Sequence, residues 1–135
     1  MNGLQAVQDL ALYLYKKLDV KVFKFEKTVG FNGEFVVVNH LPFVYGKAAN
    51  DSNTLNVNIH VPKNESGNAN IVRLTEIYSD ICYHIPFDTE EEEDVGVLIK
   101  GSYYAISSTS QPMEDSDDTY FLNVKVKIIT NQIKL

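Results

Sequence analysis

The sequence predicts an α+β domain, a mostly antiparallel β-sheet packed with two α-helices. Two observations carry this. Apolar residues recur at helical spacing in two stretches only, residues 4–18 and 71–85. Elsewhere the apolar residues alternate with polar ones, most regularly over residues 54–61 and 120–130. The predicted order is α-β-β-β-α-β-β-β, in a chain of 135 residues that suits one domain.

In the first helix Leu4, Val7, Leu10, Ala11, Leu14 and Leu18 share one face. Asn2 or Gly3 precedes it as a cap. Residues 21–27, KVFKFEK, change to period two, with Phe23 and Phe25 on one side and Lys24 and Glu26 on the other. Asn32-Gly33 separates them from residues 34–39, EFVVVN. Both central positions of a tight turn accept Asn and Gly at positive φ, so a hairpin is expected there. Pro42 ends this strand, and residues 46–53 form a polar connection.

Residues 54–61 give the clearest strand. Leu55, Val57, Ile59 and Val61 form one face; Thr54, Asn56, Asn58 and His60 form the other. After Pro62 comes an asparagine-rich loop, then the second helix with Asn68 or Asn70 as its cap and Pro86 as its stop. An acidic linker, DTEEEED, leads to strands expected at residues 95–100, 102–107 and 120–130. In the last, Tyr120, Leu122, Val124, Val126 and Ile128 face inward, and Asn123, Lys125 and Lys127 outward. The polar segment QPMEDSDD between the final two strands reads as a mobile hairpin tip.

Composition narrows the function. The net charge of -6 rules out binding of nucleic acid by bulk basicity. The single cysteine, Cys82, excludes an intrachain disulfide. No basic-then-apolar leader opens the chain, and no apolar run has membrane-spanning length.

Chemistry-bearing patterns are sparse. Cys82 and His84 stand two apart on a helix, where side chains diverge, and Cys82 belongs to the apolar stripe. His40, His60 and His84 lack metal-ligand spacing. Asp115, Asp117 and Asp118 resemble the start of a calcium loop, but Tyr120 and Val126 occupy the places of the required Gly and Glu. Glu90 to Asp94 fits a hydrated linker, or a run that binds cations or a basic partner surface. The segment Gly30-Phe31-Asn32-Gly33 lacks the Lys-Ser/Thr pair of a phosphate loop. Two glycosylation-type sequons, at Asn50 and Asn64, have no secretion signal to give them meaning. The expectation is a protein without catalytic residues, metal or cofactor.

The whole chain resembles the tail terminator, or tail completion, proteins of long-tailed bacteriophages and prophages, with which neck proteins share an architecture. The segments that carry the likeness are the first helix LQAVQDLALYLYKKL, the hairpin KVFKFEK and EFVVVN, and the proline-ended strand NVNIHVP. The second helix IVRLTEIYSDICYHI and the closing hairpin YYAISSTSQPMEDSDDTYFLNVKVKII complete it. VVVNHLPF followed by LNVNIHVP is the most telling part.

The resemblance implies a structural virion protein in the tail or neck, assembled in the host cytoplasm. It implies a homo-hexameric ring that caps the tail tube, meets the head-tail connector and lets DNA pass through its lumen. The alternatives are a head-tail joining protein of the same fold, and a small ligand-binding α+β domain unrelated to phage. On the ring reading Asn56, Asn58 and His60, with Lys63, Asn64 and Glu65 of the following loop, form an interface. Asp115, Asp117 and Asp118 of the hairpin tip join them. Asparagine and histidine suit a wet interface better than a dry core, and the loop would order on docking. A plain solvent-facing sheet surface is the competing reading.

Overall fold

In a computed structural model, residues 2–43, 53–88, 96–115 and 118–130 are described. Helix α1 spans Gly3–Lys17 and α2 spans Ile71–His84. The strands are β1 (Lys21–Lys24), β2 (Phe35–His40), β3 (Thr54–Pro62), β4 (Val97–Ile99), β5 (Ser102–Thr109), β6 (Met113–Glu114) and β7 (Thr119–Thr130). They form one sheet in the order β1-β2-β3-β7-β5-β4, with β6 added to β7. The α+β class is as the alternation dictates, with one strand more than the sequence predicts.

Both helices start where an asparagine can cap them. Asn2 Oδ1 accepts from the Gln5 N–H at 2.8 Å, and Asn70 Oδ1 from the Arg73 N–H at 3.2 Å. Such a cap contributes about 1 kcal/mol by satisfying an otherwise orphaned donor. Gly3 is fixed by space. A Cβ there would lie 2.6 Å from the His40 ring, which packs flat against the start of the helix.

The helices cover one face of the sheet. Val36, Val38, Leu55, Val57, Ile59, Val124 and Val126, all with no exposed surface, meet Val7, Leu10, Leu14, Leu74, Ile77 and Ile81. Each such side chain contributes about 1.5–3 kcal/mol by leaving water. α1 touches β1 and β2 and also β4, at the far end of the strand order. Edge strands five spacings apart would be about 24 Å distant in a flat sheet, more than one helix can span sideways. The sheet therefore curls, and α1 sits in its mouth.

The expected hairpin at Asn32-Gly33 is wrong. β1 and β2 pair in parallel, with Lys21 opposite Phe35 and Lys24 opposite Val38. The strand stops at Lys24 because Phe25 takes a left-handed conformation, φ 68°. The chain then returns to the starting end of β1 before β2 begins. Phe31 anchors this return, packing edge-on against Phe23 at 5.2 Å and Phe35 at 5.9 Å. Lys27 Nζ donates to the Phe31 carbonyl at 3.2 Å. Clustering of three phenyl rings outweighs the local turn preference of Asn-Gly.

Two further expectations change. The segment read as a mobile tip contains β6, paired to β7 through Met113–Phe121 and Glu114–Tyr120. The loop after β3 is closed by Asn64, whose Oδ1 accepts from the N–H groups of Ser66 at 3.0 Å and Asn68 at 2.9 Å. The connection at 46–52 with its sequon, the acidic run at 90–94 and Asp117 lie outside the described residues.

Candidate functional site

Among the described residues no helix covers the second face of the sheet. Strand register builds it as three rungs across β2, β3 and β7. Asn39, Asn56 and Lys125 form the first, Val37, Asn58 and Asn123 the second, and Phe35, His60 and Phe121 the third. Alternation puts all of them on the side opposite the aliphatic core.

The first two rungs are joined by amides. Asn56 Nδ2 donates to Asn39 Oδ1 at 2.8 Å. Asn56 Oδ1 accepts from Lys125 Nζ and from Asn123 Nδ2, each at 3.1 Å. Asn123 Nδ2 also reaches Asn58 Oδ1 at 2.7 Å. Each bond is worth about 1 kcal/mol net, but the chain of them fixes side chains that would otherwise be free to turn.

The third rung is a stack. The His60 ring lies 4.5 Å from Phe35, nearly parallel at 7°, and 5.3 Å from Phe121 at 18°. Its side chain is only 12% exposed, and Nδ1 faces the Asp115 carboxylate at 3.4 Å. Lys27 Nζ stands 5.5 Å over the Phe35 ring. An open hollow of about 220 Å³ lies over this corner, lined by Phe25, Lys27, Phe35, Asn39, His60 and Asp115 among others.

The end of the stack is tied to the closing hairpin. Lys63 Nζ donates to Glu114 at 2.8 Å and faces Asp118 at 3.4 Å, while lying over the Tyr120 ring. The bond to Glu114 raises the Lys63 pKa above its ordinary value. Asp118 takes a left-handed conformation, φ 62°, and its carbonyl accepts from the Lys63 N–H at 3.2 Å.

The structure thus brings together Asn56, Asn58, His60, Lys63, Asp115 and Asp118 of the predicted interface. Asn64 is committed to its own loop, and Glu65 is exposed on that loop. Phe35, Asn39, Phe121, Asn123 and Lys125 complete the face. Their signal in the sequence was an aromatic, amide or lysine residue in the polar phase of a strand, but only register makes them neighbours of Asn56 and His60.

The other chemistry-bearing residues are placed apart. Cys82 is half-buried against the core, and burial pushes its thiol above the ordinary range. His84 packs its ring edge-on against Tyr13 and Tyr83, and its carbonyl accepts from the Tyr13 hydroxyl at 3.0 Å. His40 is occupied by Gly3, Phe25 and Phe43. Among the described residues no group of three His, Cys, Asp or Glu side chains is placed to hold a metal ion. No helix among them is long and apolar enough to cross a membrane. A scan against protein-family models finds no match, and a search of curated proteins finds none either.

Proposed function

We propose that this chain acts by assembly, as a ring-forming tail terminator that caps a phage tail tube and meets the head-tail connector. The observation that supports the reading is the outer face of the sheet. Its amides and rings are held in fixed positions by one another before any partner arrives. A preorganised polar face loses little side-chain freedom on docking, which favours a specific but wet interface. Glu114 and Asp118, held by Lys63, and Asp115, facing His60, set the edge of that face. The resemblance over the whole chain supplies the particular assembly.

Electron microscopy of particles from a host carrying a deletion of this gene tests it. Overlong or headless tails are expected, and normal virions would refute the reading. Crosslinking from a photoreactive residue at Asn58 separates the two neck roles. Capture of the tail-tube protein marks a terminator; capture of the portal or adaptor marks a head-tail joining protein of the same fold.

A further inference from the structure

The two helices leave exposed stripes that the core does not use. On α1 the stripe is Leu4, Gln8, Leu12 and Tyr15, spaced i, i+4, i+8 and i+11. Leu12 and Tyr15 are 44% and 61% exposed. On α2 it is Val72, Glu76, Ser79 and Tyr83, spaced i, i+4, i+7 and i+11. Val72 and Tyr83 are 72% and 85% exposed. Both stripes run about 16 Å along their helices.

Their charges are opposite. The one acid of α1, Asp9, is buried, and Lys16 and Lys24 flank its stripe. On α2 the exposed charges are Glu76 within the stripe and Asp80 beside it. Arg73, the basic side chain of that helix, is turned to Glu34 and Asp19. A shape match accompanies the charge. Between α1 and β1 lies a hollow of about 170 Å³ lined by Gln8, Ala11, Leu12, Tyr15, Val22 and Lys24. Tyr83 on α2 is a large, exposed ring with the edge of His84 against it.

We propose that these stripes are the two halves of a contact between copies, α1 of one chain lying on α2 of the next with Tyr83 seated in the hollow beside Leu12. The proposal rests on the assembly reading above and names the partner surface for it. Because the halves differ, the contact is head-to-tail. Repetition closes a ring if the rotation between copies allows it. The area of one helix on one helix is small, so a single contact is of the weak, transient class and gains strength from closure.

Complementation by mixing tests this directly. One variant, Leu12→Ser with Lys24→Glu, removes the α1 half; another, Val72→Ser with Tyr83→Ser, removes the α2 half. All four positions are exposed or rim positions, and circular dichroism checks that both variants fold. By sedimentation at roughly millimolar chain, the parent is expected to self-associate and each variant alone to do so at least about tenfold more weakly. An equimolar mixture is expected to form a 1:1 species and nothing larger, since one intact pair of halves remains. A monomeric parent, variants that associate like the parent, or a mixture that behaves as its components would overturn the pairing. So would capture of tail-tube protein, and not of a second copy, by a crosslinker at Tyr83. Abnormal tails on gene deletion together with a monomeric mixture would sink this contact and leave the terminator reading standing. Normal virions together with the 1:1 species would do the reverse.

Discussion

The two faces of the sheet come from the same three strands and are built by opposite means. Toward the helices, β2, β3 and β7 present Val36, Val38, Leu55, Val57, Ile59, Val124 and Val126, which need only be apolar and of fitting size. Away from the helices the same strands present amides and stacked rings that need particular neighbours at particular distances. The first face makes the domain stable. The second gives it a surface with defined directions for hydrogen bonds. The first face needs aliphatics of fitting size; the second needs each named partner in place.

The largest effect is expected on the covered face. Ile59→Ala should lower unfolding free energy by about 2–5 kcal/mol in a urea titration, through lost burial and a cavity between sheet and helices. A loss under 1 kcal/mol would mean the two layers are not packed as described. On the outer face, Asn56→Ala removes a donor to Asn39 and an acceptor shared by Asn123 and Lys125. About 1–2 kcal/mol is expected, with non-additivity against Asn123→Ala. Strict additivity of the two would show that the amide chain does not act as a unit.

A third test concerns Tyr104, an aromatic hydroxyl on the covered side. Its burial, reinforced by the charge of Asp9, raises the phenol pKa well above the ordinary 10.0. The folded state then holds a proton that the unfolded state has released. Stability is unaffected at neutral pH and falls as pH rises beyond 10.0, the unfolded value. Phenolate absorbance should show one tyrosine ionising only with alkaline unfolding. A full titration in the folded state would contradict its burial. The smallest effect is expected at Lys63→Ala, whose ion pairs are at the surface. The denaturation midpoint should not move, whereas exchange of the β6–β7 amide protons should quicken.

Much of the covered face was legible in the sequence. Strict alternation over 54–61 and 120–130 placed β3 and β7 correctly, and the asparagines before each apolar stripe placed the helix starts. The β1–β2 pairing was not legible. Asn32-Gly33 signals a hairpin locally, while the ring contacts of Phe31 with Phe23 and Phe35 arise only in three dimensions. β6 was hidden in a charged segment, since two residues cannot show a period. The outer face was half legible. Asn56, Asn58 and His60 announced a polar row, but their partners on β2 and β7 depend on register, which one sequence does not display.

The position of α1 has a kinetic consequence. It precedes every other described element in the chain, yet its flank around Asp9 and Tyr13 borders Ile99 and Lys100 on the far edge of the sheet. Until synthesis passes that point, the helix has one wall missing. Closure of the domain must await strands distant from α1 in the chain, so folding is expected to be slow for a chain of this length.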